Sequence, residues 1–249
     1  MYNPPLNHKR AAKLKKIFNA KLIFALVIIV LGTYFTFPYE ITAAQKTAYF
    51  NAYLMTLKLT TGGIALGIVL GFLLAFLKFL HIKPLNFIID EYIDIIRGTP
   101  VLLQLMIFAF VIMASVSDNL WAAIVALGLN SSAYVAEIVR SGINSVDRGQ
   151  MEAARAMGLG YATSMREIIF PQAIKNILPA LANEFISLFK ETSVVGLIGI
   201  FDLTMQSKSL QATLFSPEPI LFAGVVYYAS VKIFSTLAKL LERRLNRHD

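Results

Sequence analysis

Apolar residues run through this chain in blocks too long and too continuous for the core of a soluble domain. The blocks fall at 22–37, 54–80, 101–114, 120–140, 180–201 and 220–241, and about 20 apolar residues cross a bilayer as a helix. The pattern predicts an all-α, polytopic transmembrane helical bundle with six spans. An even number of crossings puts both termini on one side. The first block follows a long basic lead and ends near Pro38, not at a small-residue cleavage site, so it reads as an uncleaved span and not as a signal peptide.

Two stretches depart from plain alternation of span and turn. In 83–97, Leu85, Ile88, Ile89, Tyr92, Ile93 and Ile96 recur at helical spacing with Asp90, Glu91 and Asp94 opposite. That is the pattern of a helix lying in the membrane interface. Gly98-Thr99-Pro100 breaks it and restarts the chain as the third span. The second stretch is a polar elbow at 145–178, between the fourth and fifth spans. Asp147 is expected to cap a short helix that ends near Met157, and Gly158 to close it in the left-handed conformation. Gly160 loosens the turn, and Thr163 is expected to cap a second short helix holding Met165, Ile168 and Ile169. Pro179 is expected to open the fifth span, and 202–219 to form an external segment.

In the second span Gly63, Gly67, Gly71 and Ala75 recur every four residues, along one helix face. Small residues at that spacing let another helix approach closely. Packing against another span of the same chain is favoured over a subunit interface.

Composition agrees with the membrane reading: 57% of residues are hydrophobic, 15% charged, and mean hydropathy is +0.64, whereas a soluble domain carries about a quarter charged residues. The net charge of +8 raises nucleic acid as a partner, but the placement of the charge argues against it. Of the 23 Lys and Arg, 18 fall on one side of the expected topology, and only Lys46 and Lys208 fall clearly on the other. This is the positive-inside bias, and it puts both termini and the elbow in the cytosol. A basic cytosolic arm (1–20), an extra N-terminal anchor (21–38) and a core of five spans (51–244) are expected, the arm lying on anionic headgroups. Cysteine is absent, and His8, His81 and His248 all lie in segments expected to be cytosolic. Neither a disulfide framework nor a metal site is expected, nor any cofactor.

Polar residues inside a membrane are expensive and each needs a reason. Asn130, Tyr134, Glu137 and Ser141 form one stripe on the fourth span. They are candidates for a solute pathway, or for hydrogen bonding between helices. Glu137 also lies within reach of the cytosolic interface. On the fifth span Asn183, Ser187 and Glu191 share a face beside Lys190, with both charges expected near mid-depth. A zwitterionic solute passing through the bundle would match them. A buried charge network holding subunits together would explain them equally well.

The order Glu152-Ala153-Ala154, three residues, Gly158, nine residues, Ile168, one residue, Phe170-Pro171 resembles the EAA loop of ABC importer permeases. Ile96-Arg97-Gly98-Thr99-Pro100 followed by Gln104, and Lys190-Glu191-Thr192-Ser193, resemble the polar amino acid branch (histidine, glutamine, arginine) of that family. The likeness covers roughly residues 53–244. Phe170 stands where the general loop pattern has leucine, a minor departure that keeps apolar bulk.

The resemblance implies a type I ABC importer permease-like fold in a bacterial cytoplasmic membrane. It implies that two ATPase subunits dock on the elbow through Glu152, Ala153, Ala154, Gly158, Ile168 and Pro171. It further implies a second permease subunit, the same chain or a homologue, and an extracytoplasmic amino-acid-binding protein. The chain has no GxxxxGK[ST] phosphate loop, so ATP hydrolysis belongs to another subunit. Glu152 has no paired base, nucleophile or metal nearby, which leaves an enzyme reading poor. The rival is an ion-coupled secondary transporter using Lys190 and Glu191, a class that often shows repeats; no convincing repeat is visible here.

Overall fold

The second expected span begins earlier than its apolar block. Thr42 and Gln45 form a reciprocal capping box, with the Gln45 side chain accepting from the Thr42 backbone N–H at 2.8 Å, and the helix runs from Ala43 to Lys78. The structure is a computed structural model that describes residues 5–245, with side chains from residue 20. Much of the expected basic arm and the end of the tail (His248 included) therefore lie outside the described side chains. The described residues form helices α1 (Pro5–Thr36), α2 (Ala43–Lys78), α3 (Lys83–Gly98), α4 (Val101–Ile107), α5 (Asn119–Asn144), α6 (Arg148–Ala156), α7 (Tyr161–Ser164), α8 (Phe170–Glu191), α9 (Leu203–Leu214) and α10 (Glu218–Leu245). No strand occurs among them.

Three helices, α2, α5 and α10, are long and apolar enough to cross a membrane. The expected third span is shorter: α4 continues as a π-helical turn over Phe108–Ile112, giving twelve residues, or about 18 Å of helix. It meets α3 at a bend of 105°. Thr99 and Pro100 are both extended there, and proline biases its predecessor away from helix. The apolar part of α1 spans Ala20–Thr36 and lies along α10, where Gly32 faces Val225.

The fifth expected span differs most. Pro179 lies inside α8 and does not open it; the helix begins nine residues earlier at Phe170, with Pro171 in its first turn, where a missing N–H costs nothing. The α-helix then stops at Glu191 and tightens into a 3₁₀ segment, Thr192–Ile198, closed by Gly199 at φ 85°. The expected external segment is also more than a loop. It contains α9, whose Leu203, Ser207 and Leu210 are buried.

The core forms where α2 and α5 lie side by side. A side-chain carbon placed on Gly63 would touch Leu127 at 3.0 Å, on Gly67 Ser131 at 2.7 Å, and on Gly71 Val135 at 2.5 Å. The small-residue face of α2 is therefore spent on packing within the chain. Leu59, Leu105, Leu127, Leu188 and Val195 close the interior around it.

Candidate functional site

The elbow starts from a cap. Asp147 Oδ1 accepts from the Gly149 N–H at 2.7 Å and starts α6, relieving one of the unpaired donors of a helix start. At the other end Gly158 sits at φ 86°. Its N–H bonds the Arg155 carbonyl at 3.0 Å, and the Leu159 N–H reaches back to Ala154 at 3.2 Å. These are the paired bonds of a Schellman motif, whose left-handed residue favours glycine.

The turn sorts the motif residues by face. Ala154 is fully buried, whereas Glu152 and Ala153 point away from the protein interior. The second short helix begins at Tyr161 with Gly160 in the cap position and no side-chain cap. Thr163 lies within that helix and is exposed, so it does not cap it as expected. Ser164 closes this piece from inside, its hydroxyl donating to the Gly160 carbonyl at 2.9 Å. A π-helical turn, Met165–Ile169, then carries Ile168, half-buried, into α8, with Pro171 exposed at its start.

Asn176 joins the two arms of the elbow by donating to Ser145 Oγ at 2.8 Å.

The stripe on α5 is divided among several partners. Asn130 is buried and donates to Gln104 Oε1 at 3.0 Å. Gln104 in turn donates to the Ile96 carbonyl at 2.7 Å and to Thr99 Oγ1 at 2.8 Å. This side chain answers backbone groups released at the 105° bend. Tyr134 lies under the Arg97 guanidinium, 5.4 Å from its ring centre, and Glu137 accepts two bonds from Arg140, at 2.7 and 2.9 Å. Tyr134, Glu137 and Ser141 line one cleft with Arg97 and Asn176. Lys190 is exposed in a different one, beside Ser193, Tyr227 and Tyr228. Ser187 and Glu191, both half-buried, lie one turn apart on the same face of α8. Within one chain, then, Lys190 and the group Tyr134, Glu137 and Ser141 open onto different clefts.

Two buried acidic residues escaped the pattern. Glu184 is buried on α8 and accepts from Ser131 Oγ at 2.8 Å; an acidic residue within an apolar run was the available signal. Asp202 is fully buried and caps α9, accepting from the Thr204 and Met205 N–H groups at 3.0 Å. The spacing Asp-Leu-Thr-Met is that of a helix start, read in sequence as a loop. Among the described residues no cluster of His, Asp and Glu could hold a metal ion.

Apolar helices with polar seams between them, three of them long enough to cross a membrane, and an exposed elbow closed by a glycine turn define a helical membrane component. The chain belongs to the family of binding-protein-dependent transport system inner membrane components, whose model matches residues 67–247. It is 40% identical over 215 residues to the arginine transport system permease protein ArtQ of Bacillus subtilis, covering 85% of this chain and 98% of that protein. A crystal structure of an amino acid ABC transporter with histidines superimposes with a TM-score of 0.76 at 42% identity, over 80% of this chain and 94% of that one. The inward-facing MetNI methionine ABC transporter aligns with a TM-score of 0.72 over 83% of this chain and all of that one, at 20% identity, a likeness of fold alone.

Proposed function

We propose that this chain is the permease subunit of an ATP-driven importer for polar amino acids, that it couples to a separate ATPase through the elbow at 145–178, and that it works in a bacterial cytoplasmic membrane. The observation that carries the reading is the elbow itself. Its Glu152 and Ala153 are exposed on a short helix whose end is held by a Schellman turn. A partner pressing there meets a rigid surface. Two ATPase subunits, one on each of two permease chains, would draw the elbows together when they close on nucleotide, and the spans would rock as packed bodies. The second permease is this chain or a homologue, and an extracytoplasmic binding protein delivers the solute.

The six-span topology, with both termini inside, is supported by the distribution of Lys and Arg, and by α9 meeting α2 at Thr56 whereas the elbow meets it at Phe72–Phe79. In this topology α3 lies along the cytosolic interface. Lys190, Glu191 and Ser187 are the pathway residues on α8, with Asn130, Tyr134 and Glu137 on α5. Lys190, exposed in the single chain, faces the solute or the second permease. The amino acid class is supported by the arginine permease and the histidine-containing transporter to which the chain is similar. Family membership does not favour an ion-coupled secondary transporter.

The test is reconstitution of the purified complex in vesicles without an ion gradient. ATP-driven uptake of a polar amino acid, with an ATPase and a second permease copurifying, is expected. Uptake that needs an ion gradient and no ATPase would overturn the reading.

A further inference from the structure

Beneath the elbow lies a groove of about 390 Å³, within the roughly 300–1,000 Å³ of sites that take small ligands. One wall is the end of α2, with Phe72, Phe76 and Phe79. The other is the elbow, with Met165, Arg166 and Phe170. Arg166 is the one charged residue of this lining. Phe76 is 64% exposed, so the groove opens sideways from the bundle.

Its depth follows from the charges beside it. Lys78, the last residue of α2, is ion-paired with Asp90 on α3, which marks the level of headgroups and water. Phe72 lies six residues deeper, or about 9 Å along the helix. Exposed Phe79 lies just past that level and exposed Phe76 about 3 Å below it, so the groove runs from the headgroups into hydrocarbon. Its mouth carries a guanidinium whose side chain is 81% exposed. Arg166 Nε donates to Glu167 at 2.7 Å, which leaves most of the five N–H donors of the fork for another acceptor. The Glu167 pair is itself an exposed one, of little energetic weight.

We propose that this groove holds an acyl chain of an anionic phospholipid, with its phosphate at Arg166. One wall is the elbow, so the lipid fills the space between the elbow and the spans and braces the piece on which the ATPase would press. That consequence rests on the coupling role proposed above. Binding itself does not.

The experiment uses the full chain in lipid discs and phosphatidylglycerol with a photoreactive acyl chain, compared with phosphatidylcholine carrying the same chain. Labelled peptides are mapped by mass spectrometry. Label is expected in 72–79 and 161–170, favouring phosphatidylglycerol by about fivefold, the worth of one cation near an anionic headgroup. Arg166→Gln should abolish that preference, and Ala162→Trp, which fills the groove, should remove label from either lipid. Equal labelling of the native chain by the two lipids would overturn the proposal, as would label that persists in Ala162→Trp. Should Ala162→Trp not fold, loss or survival of the preference in Arg166→Gln decides alone. The discs carry the same lipid on both faces, so reversed sidedness or failure of ATPase docking would not alter this readout.

Discussion

Ser131 on α5 donates to Glu184 on α8 at 2.8 Å, and both residues are buried. The bond links two spans 53 positions apart in sequence, at a point where Ser131 is also pressed by Gly67 of α2. Glu184→Ala strips the hydroxyl of its acceptor at a site water does not reach, and should cost about 1–3 kcal/mol. Glu184→Gln keeps an acceptor and should cost less. Thermal unfolding of the two purified variants separates them.

The glycine face of α2 gives a sharper contrast. A methyl group on Gly71 would sit 2.5 Å from Val135 Cβ and 2.8 Å from the Ser132 carbonyl, and neither is free to swing away. Gly71→Ala should therefore destabilise the bundle by about 1–3 kcal/mol. Gly224 on α10 has open space at the same position, and Gly224→Ala should be neutral or stabilising by about 0.5–1 kcal/mol. Yield and melting temperature in detergent report both.

Gly158 tests the elbow. Nothing lies within 4 Å of its missing side chain, so the demand for glycine is conformational, at φ 86°. Gly158→Ala should strain the turn by about 1–2 kcal/mol and Gly158→Asp should block transport, with membrane insertion unchanged in both. ATP-driven uptake together with the amount of inserted chain is the measurement. Normal uptake by Gly158→Asp would remove the elbow from the coupling step.

The chain has no cysteine of its own, which makes sidedness simple to measure. Gln150→Cys on α6 and Thr213→Cys on α9 are both exposed positions. A membrane-impermeant thiol reagent applied to intact cells should label the second and spare the first. The reverse pattern would invert the topology.

Glu191→Gln should lower substrate-stimulated ATP hydrolysis by about tenfold, the worth of one charge-assisted hydrogen bond, while the assembled complex stays intact. If the complex instead dissociates on size exclusion, the carboxylate holds subunits together.

Periodicity made close packing of the small-residue face of α2 against another span legible, because four-residue spacing of small side chains has few other uses; that the partner is α5 was not. The elbow's caps were legible for the same reason: Asp147 and Gly158 are residue types chosen by backbone geometry. Pro179 misled because local propensity was overruled by packing. Ile177 seats against Gly142 and Ala173 is buried nearby, which holds the turns before the proline in helix. Thr163 misled because Gly160 starts the second helix one turn earlier. Glu184 and Asp202 stayed hidden because what a buried acid means depends on its partner, and sequence spacing says nothing of Ser131 or Tyr227, whose hydroxyl lies 3.4 Å from Asp202.

Three successive notches on α2, each filled by a side chain of α5, act as teeth. For one helix to slide along the other, Leu127, Ser131 and Val135 would all have to climb out together. The pair therefore moves as a single beam, and any rocking that opens and shuts a passage must pivot about contacts outside this mesh.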